Sequence, residues 1–138
     1  MTMTGQCLCG QVKYEVASEP FATAICHCRN CQKQAGSAFS IVVAVPSKAV
    51  TRTGELKIYD DKADSGATLH RQFCPECGSP IFSVLAEAPQ VTIVKAGTLD
   101  DVSSLQPQFH VWCKSAQPWV ALDPAMPQFQ ENAPVPGA

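Results

Sequence analysis

The amino-acid sequence predicts an all-β domain that cysteine-bound metal ions hold together, and two observations lead to this prediction. Eight short segments have the pattern of strands, whereas only one segment looks helical. Seven of the eight cysteines fall into three tight clusters, a spacing typical of metal sites. At 138 residues the chain is long enough for one domain whose core covers roughly two thirds of the unfolded surface.

The clearest strand is predicted at residues 11–17. There Val12, Tyr14 and Val16 alternate with charged residues, and this period of two puts the apolar side chains on one face of a half-buried strand. Further short runs, several of them bounded by Gly, Pro or Asp, predict strands at residues 22–25, 38–45, 56–59, 67–73, 81–85, 91–96 and 109–112.

A short helical turn is predicted at residues 29–35. Gly36 follows it, and glycine suits the position just after a helix end. From Asp123 onward the sequence contains four prolines and few apolar residues, so we expect no regular structure there. The sequence therefore predicts one domain over residues 1–122 and an extended, solvated, Pro-rich C-terminal tail over residues 123–138.

Charge and composition argue against two classes of partner. The net charge of -2 provides no general attraction for nucleic acid or anionic lipid. The N-terminal residues carry neither a basic leader nor an apolar run, and no stretch approaches the roughly 20 apolar residues that cross a bilayer. We therefore expect a cytoplasmic protein without a nucleic-acid or membrane partner.

The clustered cysteines are best interpreted as metal ligands. A reducing cytoplasm favours metal thiolates over disulfides, and a disulfide between such close neighbours is strained. Zinc takes four protein ligands in a closed structural site and three where one position stays open for catalysis. Seven clustered cysteines therefore predict two zinc ions per chain, one structural and one catalytic.

Two of the clusters can combine into the closed site. Cys74 and Cys77 form a CxxC knuckle, and Gly78 lets the chain leave this tight turn because glycine tolerates a positive φ. A knuckle supplies only two ligands. Cys7 and Cys9, which precede the first predicted strand, can supply the other two.

The third cluster predicts the open site. Cys26, Cys28 and Cys31 lie within six residues, so they can cover only one side of a metal ion and leave its other side accessible. In an alternative partition, a four-cysteine ribbon would use Cys28, Cys31, Cys74 and Cys77.

Four further residues are weaker candidates. His27 could be a fourth ligand or a proton carrier, but it alternates with its cysteine neighbours and could equally point away from them. Cys113 is isolated, which is more typical of a small buried residue than of a ligand. His70 and His110 lack ligand spacing, and we interpret them as structural or surface residues.

Together these motifs resemble the glutathione-dependent formaldehyde-activating enzyme family, which also includes centromere protein V domains. The resemblance covers residues 5–119 and rests on the segments GQCLCGQVKY, CHCRNCQK, GSAF, RQFCPECGS, AGTLDD, HVW and PW. It implies a β-tent of antiparallel sheets. It also implies that the first CxC and the last CxxC hold a structural zinc, and that the central CxCxxC holds a catalytic zinc.

The resemblance implies a carbon–sulfur lyase of the S-(hydroxymethyl)glutathione synthase type, which adds the thiol of glutathione to formaldehyde. A zinc ion with three thiolates is a weak Lewis acid for water, yet metal binding still favours the thiolate form of an incoming thiol. The cations that could bind the carboxylates of glutathione are Arg29, Lys33, Arg71 and Lys95. The apolar walls of the site could come from Phe39, Trp112 and Trp119.

Three other functions are compatible with the cysteine pattern. The protein could be a non-catalytic, zinc-stabilised binding module, although a basic stripe is missing and the central cluster offers only three cysteines. It could belong to the same kind of enzyme but act on a different small thiol adduct. Alternatively, Cys28 and Cys31 could form a redox disulfide, but the βαβ context typical of such motifs is not predicted.

Overall fold

Within residues 2–134, which the computed structural model describes, the chain forms ten short strands and one short α-helix. The strands are β1 (Met3–Gln6), β2 (Lys13–Val16), β3 (Ala22–Cys26), β4 (Ser40–Pro46), β5 (Val50–Thr53), β6 (Lys57–Lys62), β7 (Thr68–Phe73), β8 (Pro80–Leu85), β9 (Val91–Lys95) and β10 (Phe109–Val111). The helix α1 covers Arg29–Ala35, and short 3₁₀ turns lie at Ser47–Ala49, Ala96–Thr98 and Cys113–Ser115. The all-β prediction is therefore confirmed.

The strands form two sheets. The smaller sheet has the order β1-β2-β5, and the larger has the order β10-β3-β4-β9-β8-β7-β6. Neighbouring strands are antiparallel except β10, which runs parallel to β3 at the edge of the larger sheet. This order brings β3, β4 and β9 side by side, and Cys26 at the end of β3 pairs with Ser40 at the start of β4.

The main core lies between the two sheets. The alternation in β2 turns Tyr14 and Val16 inward, and Val12 just before the strand is also fully buried. Across the core, the rings of Tyr14 and Phe82 meet edge to face with their centroids 5.0 Å apart. Gly5 lies opposite Tyr14 in β1, where a Cβ atom would come within 2.3 Å of the tyrosine ring. The Tyr14 ring folds over Gly5 within the same sheet, and the Thr98 carbonyl lies 2.5 Å from the added Cβ, so there is no room here for any larger residue.

All eight predicted strands are present, with changes at their ends. The strand predicted at 38–45 begins at Ser40, and the one predicted at 56–59 continues to Lys62. The helix begins and ends where the sequence predicts, and Gly36 after it adopts the left-handed conformation with φ of 64°. Strands β1 and β5 were not predicted, because their residues are mostly polar and only partly buried.

The described part of the C-terminal tail, residues 123–134, contains no helix or strand. The side chains of residues 127–131 are mostly exposed, but the backbone of this segment pairs with β10 and the turn that follows it, so this part of the tail lies across the domain. The amide of His110 donates to Pro127 at 2.9 Å, and the amide of Trp112 donates to Glu131 at 3.0 Å. The last four residues of the predicted tail lie outside the described residues.

Candidate functional site

The first and last cysteine clusters meet at one point. Cys7 and Cys9 follow β1, while Cys74 and Cys77 follow β7, and all four sulfur atoms lie within 4.8 Å of one another. The Sγ atoms of Cys7 and Cys9 are 3.6 Å apart, and those of Cys9 and Cys74 are 3.8 Å apart. Four thiolates around a tetrahedral zinc, with Zn–S bonds of about 2.3 Å, are about 3.8 Å apart. The four-cysteine cluster therefore fits a tetrahedral metal ion such as zinc.

Polar hydrogens point at these sulfur atoms. The amide of Val12 donates to Cys7 Sγ at 3.3 Å, and Ser79 Oγ lies 3.2 Å from Cys77 Sγ. The hydroxyl and amide of Ser79 lower the pKa of Cys77 to about 5. Gly78, between these two residues, has φ of 77°, as the knuckle requires. The local backbone therefore favours the thiolate form that metal binding needs.

The central cluster is a separate group of three cysteines. Cys26 ends β3, Cys28 caps the N-terminus of α1, and Cys31 lies in its first turn. All three are buried, and their sulfur atoms lie within 4.8 Å of one another. The amide of Cys31 donates to Cys28 Sγ at 3.2 Å, so the cap of the helix also holds a sulfur in position. The three sulfurs can hold a metal ion and leave one coordination position open.

Two buried cations flank this three-cysteine cluster. Arg71 in β7 and Lys95 in β9 are only 3% and 6% exposed. Hydrogen bonds from Cys26 and Cys28, together with the charges of Lys95 and Arg71, lower the pKa of Cys31. Positive charge therefore surrounds the place where thiolate charge would accumulate.

The two cations differ in their partners. Arg71 Nε donates to the Asp61 carboxylate at 2.8 Å, and although burial disfavours its charge, this contact raises the pKa of Arg71 above its usual value. Lys95 Nζ donates to Ser40 Oγ at 3.0 Å, and among residues 2–134 no carboxylate lies within 4.0 Å of it. Burial lowers the pKa of Lys95, while the neighbouring cysteines oppose this shift. Lys95 is thus a buried cation without a carboxylate partner.

The other sequence candidates occupy different places. Trp112 is buried in one cluster with the three cysteines, whereas Trp119 is 74% exposed and is not among the residues that line the cavity described below. Trp112 also has φ of 57°, which is unusual for a residue other than glycine, and its indole Nε1 donates to Asn132 at 2.8 Å. Arg29 and Lys33 are exposed on the helix that carries the cluster.

The histidines do not join the cysteines. His27 is fully buried, and its Nε2 lies 2.9 Å from Nδ1 of His110. Burial and the neighbouring His110 lower the pKa of His27. His70 contacts Asp60 at 2.6 Å. Cys113 is half-buried, and the three-cysteine cluster does not include it.

A mostly apolar cavity of about 560 Å³ lies at the start of β4 and the end of β9, and none of the three cysteines is among the described residues that line it. Lys95 and Ser40 line it, and Ser40 pairs with Cys26 across β3 and β4. The sequence did not single out Ser40, because a lone serine at the start of a strand has no informative spacing. The cavity also depends on residues from several segments, which sequence patterns do not bring together.

Comparisons with a family model and with known proteins point to the same family. The family model described as glutathione-dependent formaldehyde-activating enzyme matches residues 2–115. A protein of Talaromyces marneffei, named "Putative glutathione-dependent formaldehyde-activating enzyme", is 32% identical over 117 residues, which are 79% of this chain and 60% of that protein. A Halomonas elongata protein of the same name is 26% identical over 130 residues, which are 89% of this chain and 82% of that protein.

A solved structure supports the fold alone. The crystal structure of a Rhodobacter sphaeroides protein matches with a TM-score of 0.58 and 21% identity, covering 74% of this chain and 92% of that one. The present chain spans about 60% of the length of the Talaromyces relative. Among the described residues, none of the helices is long and apolar enough to cross a bilayer.

Proposed function

Because the chain belongs to the glutathione-dependent formaldehyde-activating enzyme family, we propose that it is an enzyme that adds a small thiol to an aldehyde. The proposed reaction joins glutathione and formaldehyde to S-hydroxymethylglutathione and, in reverse, cleaves the same carbon–sulfur bond. The observation that carries this proposal is the buried three-cysteine cluster, which two cations flank, one of which, Lys95, also lines a cavity. A site of this composition is suited to sulfur chemistry rather than to water activation.

Two zinc ions are part of the proposal. Cys7, Cys9, Cys74 and Cys77 would hold a structural ion, and the distances between their sulfurs support this assignment. Cys26, Cys28 and Cys31 would hold the catalytic ion. A zinc ion bound there would offer an open position that favours the thiolate form of an incoming thiol.

The surrounding residues would then control charge and water. Three cysteine thiolates and a substrate thiolate carry more negative charge than one zinc ion neutralises, and Arg71 and Lys95 lie close enough to offset part of it. Trp112 covers the cluster on one side and limits the access of water. A drier site strengthens each of these electrostatic interactions.

The bond changes are simple. A lone pair of the substrate sulfur forms the new bond to the carbonyl carbon, and the π electrons of the carbonyl move to its oxygen. That oxygen takes up a proton, which balances the proton that the thiol has lost. The reverse reaction breaks the same carbon–sulfur bond and restores the thiol and the aldehyde.

Glutathione is the thiol that the family suggests. Its two carboxylates require cations at the rim of the site, and Arg29 and Lys33 are exposed on α1, the helix that carries Cys31. We include a cytoplasmic location in the proposal, because free cysteines at this spacing are typical of metal sites in a reducing compartment.

The test is exchange between glutathione, formaldehyde and their adduct, followed by NMR with the zinc-loaded protein. We expect exchange that is faster than in the uncatalysed mixture and that Cys28→Ser abolishes. Cys113→Ser serves as the matched control, because Cys113 lies outside both clusters, and it should retain the activity. An exchange rate equal to that of the mixture without protein would reject the proposed reaction.

A non-catalytic zinc module is the competing function. It would be favoured if His27 or Cys113 completed the ligand set of the central cluster. Among residues 2–134 neither does so, because the ligand atoms that lie within 4.8 Å of one another in this cluster are the three sulfurs of Cys26, Cys28 and Cys31 alone. An accessible fourth position is therefore the feature that favours the enzyme over the module.

A further inference from the structure

Lys95 has an unusual environment for a lysine. It is 6% exposed and its ammonium group contacts only the Ser40 hydroxyl among the described polar partners. Burying an ammonium group without an anionic partner is costly, so such a lysine commonly has a counter-charge that arrives with a ligand or lies nearby. Ser40, the partner of this ammonium group, lies opposite Cys26 in β3, so cysteine thiolates of the cluster would supply part of that charge. Lys95 is also one of the residues that line the cavity.

The cavity is much larger than formaldehyde requires. Its volume is about 560 Å³, whereas a molecule with two heavy atoms needs roughly one or two times the 30 Å³ that a water molecule occupies in the liquid. Most of its lining is apolar, with contributions from Phe39, Ile41, Val102 and Leu105. Within residues 2–134, Lys95 is the one charged residue that lines it.

The polarity of this cavity decides what it can hold. Glutathione has two carboxylates, and one lysine cannot pair with both while the remaining wall is apolar. An aldehyde with an alkyl chain has one polar atom and an apolar remainder, which matches one cation and an apolar wall. Lys95 lines the cavity, and Ser40, which accepts a hydrogen bond from its Nζ, is the cross-strand partner of Cys26, so a carbonyl group held at Nζ would lie near the three-cysteine cluster.

We propose that this cavity is a subsite for an aldehyde with an apolar chain, whose oxygen accepts a hydrogen bond from Lys95 Nζ and whose chain contacts Phe39, Ile41 and Leu105. The proposal rests on the proposed function and extends it from formaldehyde to straight-chain aldehydes. The product is a hemithioacetal that carries the alkyl chain on the carbon bonded to sulfur.

The step balances as follows. The substrate sulfur forms a bond to the carbonyl carbon, and the π electrons of the carbonyl move to its oxygen. Lys95 stabilises this oxygen and gives it a proton, and solvent returns a proton to Lys95. The thiol releases one proton when it binds, and the carbonyl oxygen takes up one proton, so the protons balance. The reaction needs no oxidant or reductant.

Binding of primary amides tests the subsite without catalysis, because an amide carbonyl resembles that of an aldehyde but does not react. In NMR titrations of the zinc-loaded protein, hexanamide should bind more tightly than acetamide. Each buried methylene is expected to increase the affinity about threefold to fourfold, which gives an increase on the order of 100-fold over four methylenes. Equal affinity for the two amides would overturn the apolar subsite.

Two variants separate the polar and apolar parts of the proposal. Lys95→Met should lower the affinity for both amides by about fivefold to tenfold, because it removes one hydrogen bond. Its matched control is Lys57→Met, which removes an exposed lysine in β6 and should change neither affinity. Unchanged binding to Lys95→Met would overturn the role of Lys95.

Gly97→Leu tests the cavity itself. Gly97 lines the cavity, and a Cβ atom added there meets no atom within 4 Å, so the variant should fold while its side chain fills the space. We expect it to lower the affinity for hexanamide more than the affinity for acetamide. The opposite order, or no change in the ratio, would contradict the proposal.

Catalysis with glutathione then distinguishes failure of this inference from failure of the proposed function. From acetaldehyde to hexanal, rates relative to the uncatalysed reaction should rise with chain length. A flat series together with active formaldehyde exchange would overturn the subsite and leave the proposed function standing. No acceleration with any aldehyde, formaldehyde included, would overturn both.

Discussion

The four-cysteine cluster should contribute far more to stability than the three-cysteine cluster, and Cys74→Ser tests this difference. Cys74 is fully buried, and its sulfur lies 3.8 Å from that of Cys9, which is 65 positions away in the chain. A metal ion bound there would tie the loop after β1 to the end of β7. Structural zinc contributes about 10–16 kcal/mol near neutral pH, so one of four ligands corresponds to about 3–4 kcal/mol.

In a domain of this size, each kcal/mol changes Tm by about 3–4 °C, so Cys74→Ser should lower Tm by about 10–15 °C. Cys28→Ser should lose one zinc ion while Tm falls by less than about 4 °C, because the central cluster joins residues from only one loop and its helix. Cys113→Ser is the matched control and should keep both ions.

The assay combines thermal melts with metal analysis of the three purified variants. Equal losses of Tm in Cys74→Ser and Cys28→Ser would refute the division into a structural and a catalytic ion. Loss of both ions in Cys28→Ser would refute it as well, because the two clusters share no ligand.

Three further predictions concern packing, charge and the tail. Gly5→Ala should lower the free energy of unfolding in urea by about 1–3 kcal/mol, because its Cβ would meet the Tyr14 ring at 2.3 Å. Gly97→Ala is the control and should have little effect, since a Cβ there meets nothing within 4 Å. Asp61→Asn should lower the free energy of unfolding by about 3–5 kcal/mol, because it leaves the buried guanidinium of Arg71 without its carboxylate. Asp60→Asn is the control and should lower it by less than about 1 kcal/mol, because the Asp60 carboxylate is largely exposed. Removing residues 127–138 in a Trp119→Phe background should shift the fluorescence of Trp112 to longer wavelength, because the tail binds both its amide and its indole. An unchanged emission maximum would show that the tail does not hold this side chain.

Local patterns were enough to predict most of the fold. The alternation around Tyr14 predicted β2 because one of its faces is buried in the core. Gly36 predicted the end of α1 because the chain needs a left-handed residue there. Strands β1 and β5 escaped prediction because they belong to a small sheet whose pairing, rather than its apolar content, makes them strands.

The candidate site divides in the same way. Cysteine spacing predicted that the sulfurs of Cys26, Cys28 and Cys31 could converge on one ion, because these ligands lie within six residues. The spacing left two partners possible for Cys74 and Cys77, and it is the fold that brings them to Cys7 and Cys9, more than 60 positions away. The pairing of Arg71 with Asp61 and the position of Lys95 depend on which strands lie side by side, which the spacing cannot specify. The proline-rich composition predicted that the tail has no regular structure. It could not predict the hydrogen bonds between the backbone of the tail and the edge strand β10, because these depend on the fold.

The central claim is that the chain holds two zinc ions and that only the three-cysteine cluster keeps a position for a thiol. X-ray absorption at the zinc edge measures this directly in the zinc-loaded protein. Averaged over both ions, we expect about 3.5 sulfur ligands per zinc without glutathione and about 4 after glutathione is added. One zinc ion per chain, or an average of 4 sulfurs that glutathione does not change, would contradict the claim.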